Sequence, residues 1–395
     1  MTEQQPSAPH RVVIAGGGVA GLEALIALHR LAGDRVSTTL LAPTPEYLVR
    51  ALSVQDPFAR PTPRRYPLER ICADHDAEFV QDGLAAVDPE RNRLTTAQGT
   101  EMGFDSLLVA IGARAQEAFP GARTFRGLQD AEAMHGLLQD VEGGYTKSIA
   151  FVVPPGVTWA LPVYELALMT AERTYSLNLE VQLTIVTPED EPLAIFGRSA
   201  SEAVARVLAD AGITVVPNAH VRQVDHGEVI AAPGDVLVRA ERVIALPRLE
   251  GPGVRGLRAD THGFLPVDDR GHVTGTDDVF AAGDGTTFAI KQGGIAAQQA
   301  DAVAGTIAGR AGAEVTAQPF RPVLQAKLLT GSQAKYLRQA VAGGGGDSAS
   351  TLSDQTLWWP PTKVAAPYLS PYLEQLDMGP DDDGAAPVPM SSCSR

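Results

Sequence analysis

Three features of the sequence have residue types and spacing that could do chemistry. Near the start, Arg11-Val12-Val13-Ile14-Ala15 runs into Gly16-Gly17-Gly18-Val19-Ala20-Gly21, a Gly-x-Gly-x-x-Gly turn between an apolar strand and a helix. Such a turn binds a dinucleotide: Gly16 lets the chain turn tightly, Gly18 lets the backbone approach a pyrophosphate, and Gly21 lets the helix pack closely on the strand. The helix N-terminus adds free N–H groups and the positive end of its dipole. Far downstream, Val279-Phe280-Ala281-Ala282-Gly283-Asp284 is a short apolar strand closed by a Gly-Asp turn. Lys291-Gln292-Gly293-Gly294 and an Ala/Gln-rich helix over 295–305 follow it. The third feature is sulfur: the two cysteines, Cys72 and Cys393, are too far apart in sequence to form a Cys-x2-Cys or Cys-x4-Cys redox pair.

Positioning these residues requires a parallel sheet. The order strand, glycine turn, helix over 22–32 and strand over 36–41 is half of a mononucleotide-binding unit. An acid is expected at the end of the second strand to hold a ribose, and the chain has Leu40-Leu41-Ala42-Pro43 instead. Either Glu46 reaches back or backbone and water hold the sugar. Residues 78–112 alternate apolar and polar around turns at Asp88-Pro89-Glu90 and Gln98-Gly99, the pattern of a small antiparallel meander that returns to the parallel sheet.

A second α/β unit opens at Ser148-Ile149-Ala150-Phe151-Val152-Val153. Where a second glycine turn would stand, the chain reads Pro154-Pro155-Gly156-Val157-Thr158-Trp159-Ala160-Leu161. Proline has no N–H to give a phosphate, and Trp159 fills space a pyrophosphate would need. The unit then continues with a helix to residue 172, a strand over 181–186, a helix over 199–211 and a strand over 213–216. Glu189 stands near where an acid would meet a nucleotide ribose, and it also reads as a plain loop acid between Pro188 and Pro192. After residue 320 come two strands joined at Gly331-Ser332, a glycine loop over 343–348, Trp358-Trp359 and a helix over 368–376.

Composition narrows the function classes. At 395 residues the chain can hold two or three domains with sizeable cores. A formal charge of −15 argues against a nucleic-acid partner. Arg60, Arg64 and Arg65 are a local basic patch or a solvated Pro-rich loop. The chain lacks an 18-residue apolar run, its first ten residues are polar, and cysteine is scarce. These features are those expected of a cytoplasmic protein, with contact at the inner face of a membrane left open.

These motifs, in this order, resemble the FAD-dependent pyridine nucleotide-disulfide oxidoreductase superfamily. A third marker, the strand ending Ala110-Ile111-Gly112, is similar to the superfamily's Ala-Thr-Gly with Ile111 in place of Thr. The order of parts over residues 10–375 looks like the branch of type II NADH dehydrogenases and sulfide:quinone reductases. That resemblance implies an α/β fold of two Rossmann-like three-layer FAD/NAD(P)-binding domains plus a small C-terminal α+β segment. The FAD domain is expected at 10–115 and 265–318, and a nucleotide-binding-like domain with a degenerate turn at 116–264. The C-terminal part is expected at 319–378, with a disordered tail at 379–395. FAD is the implied cofactor, with Gly16, Gly17, Gly18, Val19, Ala20, Gly21, Arg50, Gly112, Gly283, Asp284, Lys291 and Gln292 around it and no metal.

Within that set, Asp284 would accept a hydrogen bond from the ribityl chain. Lys291 would favour negative charge on the reduced ring, or is a solvated lysine at a helix start. Trp358 and Trp359 are one wall of an aromatic slot, or an ordinary core or dimer contact. The turn at 154–166 is closer to the sulfide:quinone side of the branch, whose cysteines this chain lacks. No side chain is assigned a catalytic role. Three functions are expected in competition. The first is an FAD oxidoreductase passing electrons from a small-molecule donor to a quinone-like or other small acceptor without a redox disulfide. The second is an NAD(P)H-dependent flavin dehydrogenase. The third is a non-catalytic flavin-binding interaction protein.

Overall fold

Val12, Val13, Ile14 and Ala15 are between 0% and 3% exposed, so both faces of the first strand must be covered. A computed structural model, describing residues 8–58, 64–232, 236–340 and 351–378, shows how. Arg60, the 343–348 glycine loop and the 379–395 tail with Cys393 lie outside the described residues. Strand His10–Ala15 is central in a parallel five-stranded sheet in the order Val279–Ala281, Ser106–Val109, His10–Ala15, Val36–Ala42, Ala77–Gln81. Because side chains alternate along a strand, Val12 and Ile14 face helices Val19–Ala32 and Gly293–Arg310. Val13 and Ala15 face an antiparallel meander, Leu84–Asp88, Arg93–Thr96 and Glu101–Gly103. The meander expected over 78–112 is therefore shorter, since Ala77–Gln81 joins the parallel sheet as its edge.

The second unit repeats this plan. Its sheet is ordered Arg123–Thr124, Arg242–Ala245, Ser148–Val152, Gln182–Val186, Ile213–Val216, all parallel. Ile149 and Phe151 face helices Leu161–Ser176 and Arg198–Asp210, while Ala150 and Val152 face a second meander built on His220–Asp225, Glu228–Ala232 and Val236–Arg239. That meander was not read from the sequence.

The C-terminal part adds a three-stranded antiparallel sheet, Val323–Leu328, Lys335–Ala340 and Thr351–Ser353, and helix Leu369–Met378. The helix returns to the first unit, where Leu369, Tyr372 and Leu373 join the core of the glycine-turn helix. A buried ion pair ties this part to the second unit. Glu165, in the first turns of Leu161–Ser176, meets Lys363 Nζ with side chains 1% and 6% exposed, and also accepts the Leu329 N–H at 2.9 Å. Lys363 donates in addition to the Lys327 carbonyl at 2.6 Å. Burial pushes the carboxyl up and the ammonium down, and their mutual attraction opposes both shifts.

Removing one partner of such a pair strands a charge in a dry interior, whereas removing both leaves only a packing change. Lys363→Met is expected to destabilise the C-terminal part by ~3–5 kcal/mol. The double variant Glu165→Leu/Lys363→Met should recover most of that loss. Denaturant unfolding followed by Trp358 fluorescence checks both, and equal stability of single and double variants would contradict the pairing.

Candidate cofactor and electron-transfer site

The glycine turn is built as its sequence requires. Gly16 has φ +122°, and a Cβ there would lie 2.3 Å from the Ala110 carbonyl oxygen. A Cβ on Gly21 would lie 1.8 Å from the Gly16 carbonyl oxygen, so the helix can cross the turn only with glycine at that position. Gly17 is held against Leu68 and Ala42. Gly18 is different: it is exposed and extended (φ −92°, ψ −171°), and a Cβ there would meet nothing within 4 Å. As the residue preceding helix Val19–Ala32 it offers no side-chain cap, so the first N–H groups of that helix are open to an anion.

The late motif converges on the same place. Gly283 has φ +84°, its N–H donates to Gln299 Oε1 at 2.7 Å, and a Cβ on it would lie 3.4 Å from the Cβ atoms of Ala20 and Ala296. A Cβ on Gly293, at the start of helix Gly293–Arg310, would lie 3.7 Å from Val19 Cγ2. The two helix N-termini thus meet on either side of Gly283. Gly112 is drawn in through its carbonyl, which lies 3.0 Å from a Cβ position on Gly285, and a Cβ on Gly112 itself would face open space.

Beside Gly283, the Asp284 carboxyl makes no hydrogen bond or ion pair among the described residues. Burial pushes it up, while Lys291 and then Arg50 pull it back down. It is a largely buried acceptor with cations near it, a donor set suited to a hydroxyl-bearing ligand. Arg50 is exposed at the start of the 3-10 segment Arg50–Phe58. Lys291 is neither solvated nor at a helix start. Its Nζ donates to the Thr286 carbonyl at 2.5 Å and lies 4.0 Å from the centre of the Phe264 ring. Burial lowers it to about 8, with Asp284 and Asp260 opposing the shift. Gln292 is occupied internally: its Oε1 caps the helix by accepting the Ile295 N–H at 2.7 Å, and its Nε2 donates to the Gln325 carbonyl at 3.0 Å. The Gln292 side chain thus caps the helix and ties it to strand Val323–Leu328.

The second unit presents no comparable cradle. Ala160, which precedes helix Leu161–Ser176, is buried and supplies no side-chain cap, and Pro162 in the first turn lacks an N–H. Trp159 stacks edge-on against Phe196 with ring centres 5.9 Å apart, and Thr158 Oγ1 donates to the Ala289 carbonyl at 2.5 Å. The turn is thereby fastened to the loop that follows Asp284. Glu189 is neither a ribose ligand in waiting nor a solvated loop acid, because its Oε2 accepts from Tyr164 Oη at 2.6 Å and Thr187 Oγ1 at 2.9 Å. Burial raises its pKa.

The remaining candidates are structural. Glu46 pairs with Arg65 at 3.2 Å, and Arg64 pairs with Asp377, so neither a free ribose acid nor a basic patch is formed by these residues. Cys72 is buried in helix Leu68–Ala73, where burial pushes its thiol up to about 12. Trp358 Nε1 donates to the Thr362 carbonyl at 3.2 Å and its ring packs on Tyr336, while Trp359 is 72% exposed.

Comparison with known proteins agrees with this geometry. An NADH dehydrogenase-like protein of Mycobacterium tuberculosis is 28% identical over 300 residues, covering 69% of this chain and 72% of that protein. A sulfide-quinone reductase of Aquifex aeolicus is 25% identical over 262 residues, covering 62% of this chain and 59% of its own. The crystal structure of the sulfide:quinone oxidoreductase from Aquifex aeolicus superposes with a TM-score of 0.79 at 19% identity, over 87% of each chain. Residues 10–300 match the family described as pyridine nucleotide-disulphide oxidoreductase. The chain belongs to that family: it is an oxidoreductase with a Rossmann-like α/β fold, and FAD is its cofactor.

Proposed function

We propose that this enzyme passes electrons through FAD to a quinone-like or other small acceptor, without a redox-active disulfide and without a nicotinamide nucleotide held in its second unit. The observation that carries this reading is the turn at 154–160, where proline, a buried uncapped helix start and a fastened Trp159 stand in place of a phosphate cradle. The engagement of Glu189 by Tyr164 and Thr187 supports it. FAD, when bound, supplies the exchange of two electrons between donor and acceptor. The chain's own residues would bind and tune it: the Gly18 backbone and the Val19–Ala32 helix start would hold the pyrophosphate, Asp284 would accept a hydrogen bond from a hydroxyl, and Arg50 and Lys291 would supply positive charge. Among the described residues no helix is long and apolar enough to cross a membrane. Contact with a membrane quinone is, in this reading, peripheral. The NADH dehydrogenase-like name of the Mycobacterium tuberculosis relative favours the second reading, an NAD(P)H donor.

Gly18→Leu should leave the fold intact, since a Cβ there meets nothing within 4 Å, yet the purified protein should be colourless, with the melting midpoint of FAD-free wild type. Gly21→Ala should fail to fold, because its Cβ collides with backbone. Asp284→Ala should weaken FAD retention roughly 10–100-fold, the loss of one charge-assisted hydrogen bond. Full FAD occupancy in Gly18→Leu would refute the cradle.

Below about 8, Lys291 is protonated and stabilises negative charge on the reduced ring, which raises the midpoint potential. As pH rises through that value the oxidised state loses the proton first. The potential should therefore fall more steeply above it, and Lys291→Met should remove this break in spectroelectrochemical titration.

The donor is tested by anaerobic rapid mixing. NADH and NADPH at ~100 μM should bleach the flavin band slowly or not at all, because losing several charge-assisted phosphate contacts moves a micromolar affinity to millimolar. A quinone analogue should reoxidise chemically reduced enzyme quickly. Fast saturable reduction by either nucleotide would favour the NAD(P)H reading.

A further inference from the structure

The start of helix Leu369–Met378 is fastened by groups that the cofactor site does not use. Glu23, fully buried in the Val19–Ala32 helix, accepts the backbone N–H of Tyr368 on Oε1 at 2.9 Å and that of Leu369 on Oε2 at 2.6 Å. These are N–H groups that a helix start leaves without intrahelical partners. On the facing helix Gly293–Arg310, Asp301 is hydrogen-bonded to Glu23, and its Oδ1 is buried with no partner among the described residues. Two buried carboxyls in hydrogen-bond contact share a proton. Glu23 already uses both oxygens as acceptors, so the proton resides on Asp301.

The other groups facing the pair come from each packed element. Burial pushes Glu23 up to about 7, opposed by the N–H groups of Tyr368 and Leu369, by Asp301 and, least, by Arg30 on Glu23's own helix, which lies 5.6 Å from the Tyr368 ring centre. Tyr47, from strand Glu46–Leu48, and Tyr368, from the C-terminal segment, both feel the carboxyls and stay neutral because burial pushes their phenols up. The cluster thus holds one cation against two acids.

We propose that Glu23 and Asp301 form a proton-held latch that docks the C-terminal segment on the cofactor end of helix Gly293–Arg310 and loosens when Asp301 loses its proton. The segment it holds matters for access, because Val364 packs on the start of that helix, 3.1 Å from a Cβ position on Gly293. The direction of the effect follows from linkage. Burial and the neighbouring Glu23 hold Asp301 protonated in the docked state at pH values where a free carboxyl is ionised. The docked state therefore binds more protons than the open one, and docking weakens as pH rises, levelling off once Asp301 ionises in place.

Hydrogen exchange by mass spectrometry on the FAD-loaded protein, from pH ~5.5 to ~9 with intrinsic rates divided out, tests the latch. In the wild type, protection over 358–378 should fall at least ~10-fold across this range while strand Ser106–Val109 stays constant. Asp301→Asn keeps a donor to Glu23 but cannot ionise, so the fall in protection above pH ~7, where Glu23 is already ionised, should disappear. Glu23→Gln removes the neighbouring charge but not the burial that raises Asp301, so its profile should be shallower than the wild type's, at lower protection because one backbone N–H loses its acceptor. Protection in the wild type that does not change with pH would overturn the latch, as would the wild-type pH profile in whichever variant folds.

Discussion

The helices Val19–Ala32 and Gly293–Arg310 begin close to one another beside Gly283, and each brings the positive end of its dipole to the same small volume. Two such ends cannot be driven together unless something negative stands between or beside them. Asp284 is one such group, a buried carboxyl with no hydrogen-bond partner among the described residues, with Lys291 and Arg50 favouring its charged form. The glycines follow from this requirement, since Gly16, Gly21 and Gly283 allow the close backbone approaches and Gly18 leaves the space empty. The parallel strands beneath exist to aim those two helix starts, and the meander on the far face keeps both sides of the sheet dry.

In the second unit the same architecture carries a differently built helix start. Four of its five strands, its helix layer and its meander layer match the first unit, while the edge strand Arg123–Thr124 comes from the start of the unit rather than the end. Its helix start is instead closed with Ala160, Pro162 and Trp159, and its acid is consumed by Tyr164 and Thr187. The turn has acquired a mechanical role, clamping the loop after Asp284 through Thr158 and Ala289. The first turns of the same helix carry Glu165 to Lys363 and so anchor the C-terminal part. A layer that elsewhere could hold a nucleotide here braces the first unit's cofactor end.

Much of this was legible in the sequence, for physical reasons that differ by residue. The glycine turn and the Gly283-Asp284 strand are local motifs whose conformations depend on their own residues, and the fold class, family and cofactor follow from them. The meander at 220–239 was missed although a signal was present. His226 and Gly227 both have positive φ between the paired residues Asp225 and Glu228, the two-residue hairpin turn, with Val224 and Val229 apolar beside it. Lys291 and Gln292 were assigned to the cofactor by position alone, and the capping of its helix by the Gln292 side chain and its reach to Gln325 depend on tertiary packing that no local pattern records. Glu23 and Asp301, or Glu165 and Lys363, cannot be paired by any local pattern, since each pair joins residues far apart in the chain.

Equilibrium binding of ADP-ribose to the FAD-loaded enzyme measures most directly whether the second unit retains a dinucleotide site, since it carries the pyrophosphate without the redox chemistry. Calorimetric titration is expected to show no saturable binding below ~1 mM, the range left when several phosphate hydrogen bonds are missing. One-to-one binding at micromolar concentration would contradict the closed turn at 154–160 and restore a nucleotide to the second unit.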